Sequence, residues 1–440
     1  GQDIVCDQQF ILVIAFLFLP PPPRSFALVS ALFLLFSFSL APVYAATITV
    51  NRTSADIADD DECSLAEAII NANDDAQTHD DCAAGSGADE INLSTDVVLP
   101  ADSPLNITTS LTIKGNRRTL SGPGRLLSIG TSVANADLKV TINGLKVTNN
   151  NSAGDSNIAL EIWTRAEVTI NNSDFHSNGS TLSGAGAIYA HNSPISITIN
   201  NSRFYDNRSS VGGGAIYYNG FSTNSTFTIN NSRFSRNRAA GQGGAVNATS
   251  LLTMTVNEST FNNNIASEDG GAILQSTRNT YIFNSTFNDN SAGVSGGAIF
   301  NQRYLLLENS TLFNNTSVNH GGALYGRNST FTDDVTVRHV TFVNNESAGT
   351  GNIGNTIFFQ TGSTAQLYNS IIVKKPGAQG NEWSGVTTNI SNIIYLRTTD
   401  TVDPLLGGRA GNPAYYTLQA NSPAIDAADG TQCGGSLIHI

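Results

Sequence analysis

Four charged residues near the end of a repetitive region have the types that acid–base chemistry needs. Asp333 and Asp334 are followed by Arg338 and His339, one short apolar segment later. Enzymes that hydrolyse glycosidic bonds bring two carboxyl groups to one place, and a base and a cation on the next strand would complete such a site. The other interpretation is a solvated turn followed by a strand whose outward residues are charged. The segment predicts one or the other, and the residues alone do not decide.

A second group of chemically competent residues lies nearer the N-terminus. Acidic residues cluster there: Asp56, Asp59, Asp60, Asp61, Glu62, Asp74, Asp75, Asp80 and Asp81. We expect a solvated acidic loop there and no cofactor, with a calcium site as the alternative, because clustered carboxylates suit a hard cation. The candidate ligands of that alternative are Asp59, Asp60, Asp61, Asp80 and Asp81. Their spacing matches no EF-hand loop.

The first 45 residues have the pattern of an export signal. Arg24 precedes an apolar stretch over residues 26–40, and small residues end the segment at Ala45. A basic start, an apolar core and small residues before the cleavage point are typical of a secretory signal peptide. Residues 1–23 fit this pattern poorly, and we interpret them as upstream sequence fused in front of the true start or as the product of an incomplete gene model.

The cysteines agree with export, because secreted proteins form disulfides. Cys63 and Cys82 would close a loop of about 20 residues, which stabilises a fold by about 3 kcal/mol. Cys433 has no partner in the exported part of the chain. We expect a truncated C-terminus to account for it, with an intermolecular bridge as the alternative.

A recurring phrase organises the middle of the chain. Phe-x-x-Asn is followed, after a variable stretch, by Gly-Gly-Ala-Ile. The phrase or a close variant of it starts at Phe175, Phe204, Phe234, Phe261, Phe287, Leu312 and Phe342. These positions advance by 25 to 30 residues, which is typical of a solenoid and too short for the blades of a propeller, at about 40–50 residues. Short alternating segments between turn residues predict three strands per coil, paired in parallel about 4.8 Å apart.

Each position of the phrase has a place in such a coil. The aromatic residues should stack inside, next to a column of serines two residues earlier: Ser173, Ser202, Ser232, Ser259, Ser285 and Ser310. Asparagine tolerates left-handed turns and forms amide ladders, and glycine permits positive φ or close backbone approach. The asparagine and glycine columns therefore predict coil closure, with a ligand-binding face as the alternative. A regular Thr-x-Thr face for binding ice is not expected, because we see no threonine column in consecutive repeats.

Net charge restricts the partners. The 440 residues carry 35 acidic and 22 basic side chains, a formal charge of −13. This balance argues against nucleic acid or an anionic membrane surface as the partner. Length alone would allow two or three domains, but the continuous repeat favours one elongated domain.

The repeated phrases resemble those of bacterial polymorphic outer-membrane proteins and related right-handed parallel β-helix proteins with the pectin-lyase-like solenoid fold. Residues 63–69 resemble the CSLREA-type motif of such chains, although Ala66 stands where that family usually has Arg. Residues 403–407 and 421–427 resemble the C-terminal segment of the choice-of-anchor group. Ser64 and Glu67 have capping-box spacing and predict a short helix that covers the first coil.

This organisation predicts four regions. Residues 1–45 are the upstream segment and signal peptide, and residues 46–120 form the N-terminal cap and first coils. Residues 121–375 form the β-helix repeats, and residues 376–440 form C-terminal coils and a truncated cap.

Enzymes also use this fold, so the fold alone does not decide the function. The Asn-Thr-Asp and Gly-His-Gly motifs of polygalacturonases are missing, and the six histidines form no cluster in sequence. The sequence favours a secreted, cell-surface or outer-membrane protein that acts as an adhesin-like binder or as part of the envelope. Its expected partners are a glycan or a surface protein. The alternative is a polysaccharide lyase or glycoside hydrolase.

Overall fold

The computed structural model describes the chain from residue 45 to residue 423, with gaps. The described residues are 45–100, 103–130, 137–148, 158–163, 165–180, 184–191, 195–220, 225–327, 335–349, 354–360, 365–385, 389–391, 393–396 and 405–423. The signal peptide, Cys433, Asp333 and Asp334 lie outside them, so the predictions that rest on these residues stay predictions.

The coils form three parallel sheets, and consecutive coils supply neighbouring strands. Sheet 1 contains two parallel ladders. The strands of its first ladder are Leu105–Ile107, Leu127–Ile129, Leu160–Ile162, Ile188–Ala190, Ile216–Gly220, Val246–Asn257, Ile273–Phe283, Ile299–Asn301, Leu324–Gly326, Ile357–Phe359 and Trp383–Ser384. The strands of its second ladder are Thr47–Val50, Glu90–Leu93, Leu111–Lys114, Leu138–Asn143, Ala166–Asn171, Ile195–Asn200, Thr226–Asn230, Tyr304–Glu308, Val335–Arg338, Ala365–Tyr368 and Asn389–Ser391, together with the ends of the two long strands.

The other two sheets hold shorter strands. Sheet 2 is formed by Val97–Val98, Thr119–Ser121, Lys146–Thr148, Asp174–His176, Arg203–Tyr205, Arg233–Ser235, Thr260–Asn262, Thr286–Asn288, Thr311–Phe313, Thr341–Val343, Ile371–Val373 and Ile394–Leu396. Sheet 3 is formed by Gly179–Ser180, Arg208–Ser209, Arg238–Ala239, Ile265–Ala266, Ser291–Ala292, Thr316–Ser317 and Glu346–Ser347.

The predicted all-β parallel solenoid is therefore confirmed. The prediction of three strands per coil is not confirmed. One coil runs through four strands, Ile188–Ala190, Ile195–Asn200, Arg203–Tyr205 and Arg208–Ser209, of which the first two belong to the same sheet. The fourth strand, Arg208–Ser209, has two residues and lies in the variable stretch between the asparagine and the glycine pair, so the alternating pattern does not mark it.

A stack of aromatic rings runs through a core that also contains many aliphatic side chains. Phe175, Phe204, Phe234, Phe261 and Phe287 lie with neighbouring centroids 4.8 to 5.0 Å apart and nearly parallel planes. This separation is the spacing of neighbouring strands, because each coil contributes one ring to the same register position. The serines two residues earlier are buried beside the rings, as predicted. From Ser202 onward, the hydroxyl of each serine accepts a hydrogen bond from the backbone N–H of the serine in the preceding coil. Ser259 accepts from Ser232 N in this way, at 3.1 Å.

The asparagine that ends each phrase forms a buried ladder through the solenoid. The Asn237 amide donates to the Phe204 carbonyl at 2.9 Å and to the Asn264 side-chain oxygen at 3.0 Å. The side-chain oxygen of Asn237 accepts from the backbone and the amide of Asn207, at 3.2 and 2.9 Å. Buried polar groups need such partners, so the ladder holds neighbouring coils in register.

The two glycines of each pair meet different requirements. Gly243 has φ +67°, a region that residues with a Cβ adopt at a cost. A Cβ on Gly244 would lie 2.0 Å from the carbonyl oxygen of Gly271 in the next coil. The first glycine therefore makes the turn, and the second lets successive coils approach each other.

A single short helix in the described residues, Leu65–Asp74, packs beside the first coils, against Thr47–Val50 and Leu105–Ile107. Its capping box is formed as predicted. The Ser64 hydroxyl accepts from Glu67 N at 3.2 Å, and the Glu67 carboxylate accepts from Ser64 N at 2.9 Å. Cys63 and Cys82 form the predicted disulfide next to the helix N-terminus.

A C-terminal hairpin lies on the outer surface of sheet 2. Its strands are Leu406–Ala410 and Tyr415–Leu418, and they pair antiparallel. The Thr286 hydroxyl donates to the Ala414 carbonyl at 2.5 Å, and Phe313 contacts the Tyr416 ring edge-on with centroids 5.7 Å apart. The hairpin therefore covers part of the sheet that the coil pattern alone would leave open to solvent.

The outer face of sheet 2 also corrects one expectation. Four consecutive coils do align a threonine column: Thr260, Thr286, Thr311 and Thr341. Each of these threonines directly precedes the aromatic position of its phrase, so the column was already present in the aligned phrases. The outward residues two positions later are Asn262, Asn288, Phe313 and Val343. These residues interrupt a Thr-x-Thr pattern.

Candidate functional site

Arg338 ends a strand of sheet 1 and forms an ion pair with the neighbouring coil. Its strand, Val335–Arg338, places it in register with Glu308. An Arg338 guanidinium nitrogen, Nη2, lies 2.9 Å from Glu308 Oε2, and the Glu308 side chain is only 10% exposed. The sequence analysis did not single out Glu308. Glu308 directly precedes Asn309 and Ser310, and other coils have asparagine at the position of Glu308. This departure from the repeat could have identified it.

His339 occupies a corner of the coil. Its φ is +55°, and the same corner is taken by asparagine in neighbouring coils, as in Asn309 with φ +47° and Asn369 with φ +45°. The His339 ring nitrogen Nε2 lies 3.1 Å from the Asn369 amide nitrogen, and Nδ1 lies 3.9 Å from Glu308. Burial lowers the pKa of His339, and the nearby Arg338 acts in the same direction, whereas the Glu308 carboxylate raises it.

The structure thus brings two of the four predicted acid–base residues together with Glu308. Arg338 neutralises Glu308, and His339 closes a turn. Both side chains have structural partners that account for their positions. The predicted pairing with Asp333 and Asp334 stays a prediction, because those residues are outside the described part.

A cleft of about 700 Å³ lies between this corner and the C-terminal hairpin. Its coil side includes Asn284, Asn309 and His339, and its hairpin side includes Tyr415 and Tyr416. A volume of this size is within the range of ligand pockets, at roughly 300–1,000 Å³. The lining offers amides, hydroxyls, aromatic rings and the carboxylate of Glu258, a set suited to hydrogen bonding with a polar molecule.

The acidic cluster near the helix brings three of its five predicted ligands together. Carboxylate oxygens of Asp59, Asp80 and Asp81 lie within 4.8 Å of one another. Asp60 forms an ion pair with Arg52 at 2.9 Å. The backbone N–H groups of Asp60 and Asp61 donate to the Asp81 carboxylate, at 3.1 and 3.0 Å. Three carboxylates suit a hard cation such as calcium, and calcium binding here stays a prediction.

The described residues contain no helix with the length and apolar character needed to cross a membrane. The parallel sheets and the repeated phrase define the class of the protein as a β-helix repeat protein. Residues 201–219, 258–276 and 284–302 match the model of the Chlamydia polymorphic membrane protein repeat. Each segment contains a stacked phenylalanine, the buried asparagine and the glycine pair.

No curated protein and no solved structure matches the chain. The match of the three repeat segments confirms the resemblance to polymorphic membrane proteins. The fold and the repeats together fit a cell-surface or envelope protein. The CSLREA-type motif and the choice-of-anchor segment stay predictions.

Proposed function

We infer that the protein is displayed at the cell surface and binds its partners, in the manner of an adhesin, through the outward residues of its coils. The observation that supports this function is the contrast between the two faces of sheet 3. The inward residues are small and buried in all seven strands: Ser180, Ser209, Ala239, Ala266, Ala292, Ser317 and Ser347. The outward residues at the adjacent position differ in charge and size: Arg208, Arg238, Ile265, Ser291, Thr316 and Glu346.

This contrast has a physical basis. An inward side chain must fit a closely packed coil, so every coil needs a residue of similar size. An outward side chain carries no such requirement and is available for recognition. The turns after sheet 3 add exposed apolar residues, such as Val211 at 48% and Val318 at 51% exposure.

The test is a binding screen with the purified protein against immobilised glycans and extracellular proteins. We expect saturable binding to a member of the panel and no release of sugars from pectin or alginate. Release of reducing or unsaturated sugars, abolished in Asp333→Ala or Asp334→Ala, would instead establish the polysaccharide-cleaving alternative.

A further inference from the structure

Two successive coils carry a patch of positive charge on a strongly acidic chain. Residues 203–238 contain five arginines and a single acidic residue, Asp206, although the whole chain has a net charge of −13. We call these arginines the arginine patch: Arg203, Arg208, Arg233, Arg236 and Arg238. All five are exposed and lie on or between sheets 2 and 3.

Carboxylates neutralise only part of the patch. Arg203 binds Asp174 through two contacts of 2.6 and 2.5 Å, and Arg236 binds Asp206 through two contacts of 2.7 Å. Arg233 donates to the uncharged Asn262 at 3.2 Å. In the part of the chain that the structure describes, Arg208 and Arg238 take part in no ion pair.

The parallel register places like charges directly opposite each other. Arg203 is the register partner of Arg233 in sheet 2, and Arg208 is the register partner of Arg238 in sheet 3. Partners in neighbouring strands lie about 4.8 Å apart, and like charges in this arrangement are destabilising. The core does not require these arginines, because their side chains face solvent.

We propose that the arginine patch binds an acidic polysaccharide that lies across the two coils. Guanidinium groups match the paired oxygens of carboxylate and sulfate groups. A linear polymer with repeated anionic groups would meet one guanidinium in each coil and would relieve the repulsion between Arg208 and Arg238. The choice of a polysaccharide over a nucleic acid rests on the proposed surface display.

The coils on either side of the patch limit how far such a ligand extends, because they lack arginine at these positions. The coil before the patch presents Asp174, and the coil after it presents Thr260 and Ile265 at the corresponding positions. Favourable contacts are therefore confined to a short stretch of polymer. We expect moderate affinity that weakens as salt increases, because exposed charges are screened.

The test measures binding of heparin fragments and polygalacturonate to the purified protein by calorimetry at about 0.05 M and about 0.15 M salt. The variant Arg208→Ser/Arg238→Ser removes two guanidiniums that have no ion-pair partner. We expect it to lower affinity by roughly tenfold or more without lowering the unfolding temperature. The control Lys139→Ser/Arg165→Ser makes the same change in net charge at two exposed, ion-paired residues outside the patch, Lys139 in sheet 1 and Arg165 directly before a strand of that sheet, and should retain binding.

Heparin binding without polygalacturonate binding would assign sulfate as the recognised group, and equal binding would assign carboxylate. The proposal is overturned if neither polymer binds, if the patch variant binds as wild type does, or if the control loses as much affinity. Equal competition by single-stranded DNA would overturn the assignment to a polysaccharide. If the patch variant still binds the partner found in the surface screen, the patch proposal fails for that partner while the proposed function stands.

Discussion

Asparagine has two separate roles in this molecule, and neighbouring positions of the repeat show both. Asn237 is fully buried and uses its whole amide group between coils. Asn231 lies at an exposed corner with φ +43° and donates to the Asn201 side chain at 2.7 Å. The first role requires the amide, whereas the second requires mainly a residue that tolerates a left-handed backbone.

Replacing a buried asparagine should therefore cost much more than replacing a corner asparagine. Asn237→Ala leaves the Phe204 carbonyl and the Asn207 backbone N–H without partners in a buried site. We expect a loss of roughly 3 kcal/mol in unfolding free energy. Asn231→Gly keeps the positive φ and should cost less than about 1 kcal/mol. Denaturant unfolding of both variants measures the difference, and equal losses would contradict the distinction.

His339 gives the fold a defined pH response. Its pKa in the folded protein is lowered, mainly by burial, so the unfolded chain binds the proton more strongly. Its contribution to stability is complete above the ordinary histidine pKa of about 6.5 and is lost as pH falls below that value. We expect wild type to lose more stability than His339→Asn between about pH 7.5 and about pH 5.5. Asparagine is the control residue because neighbouring coils have it at this corner.

Other titrating groups act on both proteins alike. Burial also lowers the pKa values of His176 and His320. It raises those of Asp269 and Glu382, which favours the folded state at acidic pH. The difference between the two unfolding curves isolates His339, and identical pH dependence would show that this side chain contributes nothing.

At the scale of elements, the coils and the C-terminal hairpin differ in how they are held. The coils in the middle of the solenoid pair with both neighbours through parallel ladders in three sheets. In the described residues, the hairpin strands pair only with each other, and the hairpin contacts sheet 2 mainly through side chains. Arg409 lies 4.8 Å above the Phe313 ring, which also contacts Tyr416. Local stability follows such contacts, so the hairpin should open before the coils.

Removing the Tyr416 ring should release the hairpin without unfolding the solenoid. We expect Tyr416→Ala to increase the rate of proteolysis within residues 405–423 by several-fold, with the coil fragment left intact. Tyr415 is 47% exposed and supplies the control, because Tyr415→Ala keeps the contact with Phe313. Mass spectrometry of timed digests identifies the cleavage sites. Cleavage throughout the coils at the same rate would contradict a separately held hairpin.

The elements also show which parts of the fold the sequence could predict. The aromatic, serine and asparagine columns were predictable because each coil repeats the same packing problem. The docking of the hairpin was not, because it depends on contacts between residues 286 and 414, which no period connects. The corner role of His339 was hidden for a related reason: its type suggests chemistry, whereas its position repeats that of asparagine.

At the scale of the whole molecule, the negative charge is unevenly distributed. The acidic residues concentrate near the N-terminal helix, and the arginine patch occupies two coils in the middle. The net charge describes the average surface but conceals this local reversal. The sequence shows five arginines within residues 203–238, and the register adds that Arg203 faces Arg233 and Arg208 faces Arg238. A repetitive core with unlike outward surfaces suits a molecule that presents different chemistry along its length.

Antibody labelling of intact cells that produce the protein tests whether it is displayed at the surface. Antibodies raised against the purified protein recognise outward residues such as those of sheet 3. We predict labelling of intact cells under conditions in which a cytoplasmic marker stays unlabelled. Labelling that appears only after the cells are permeabilised would contradict display at the cell surface.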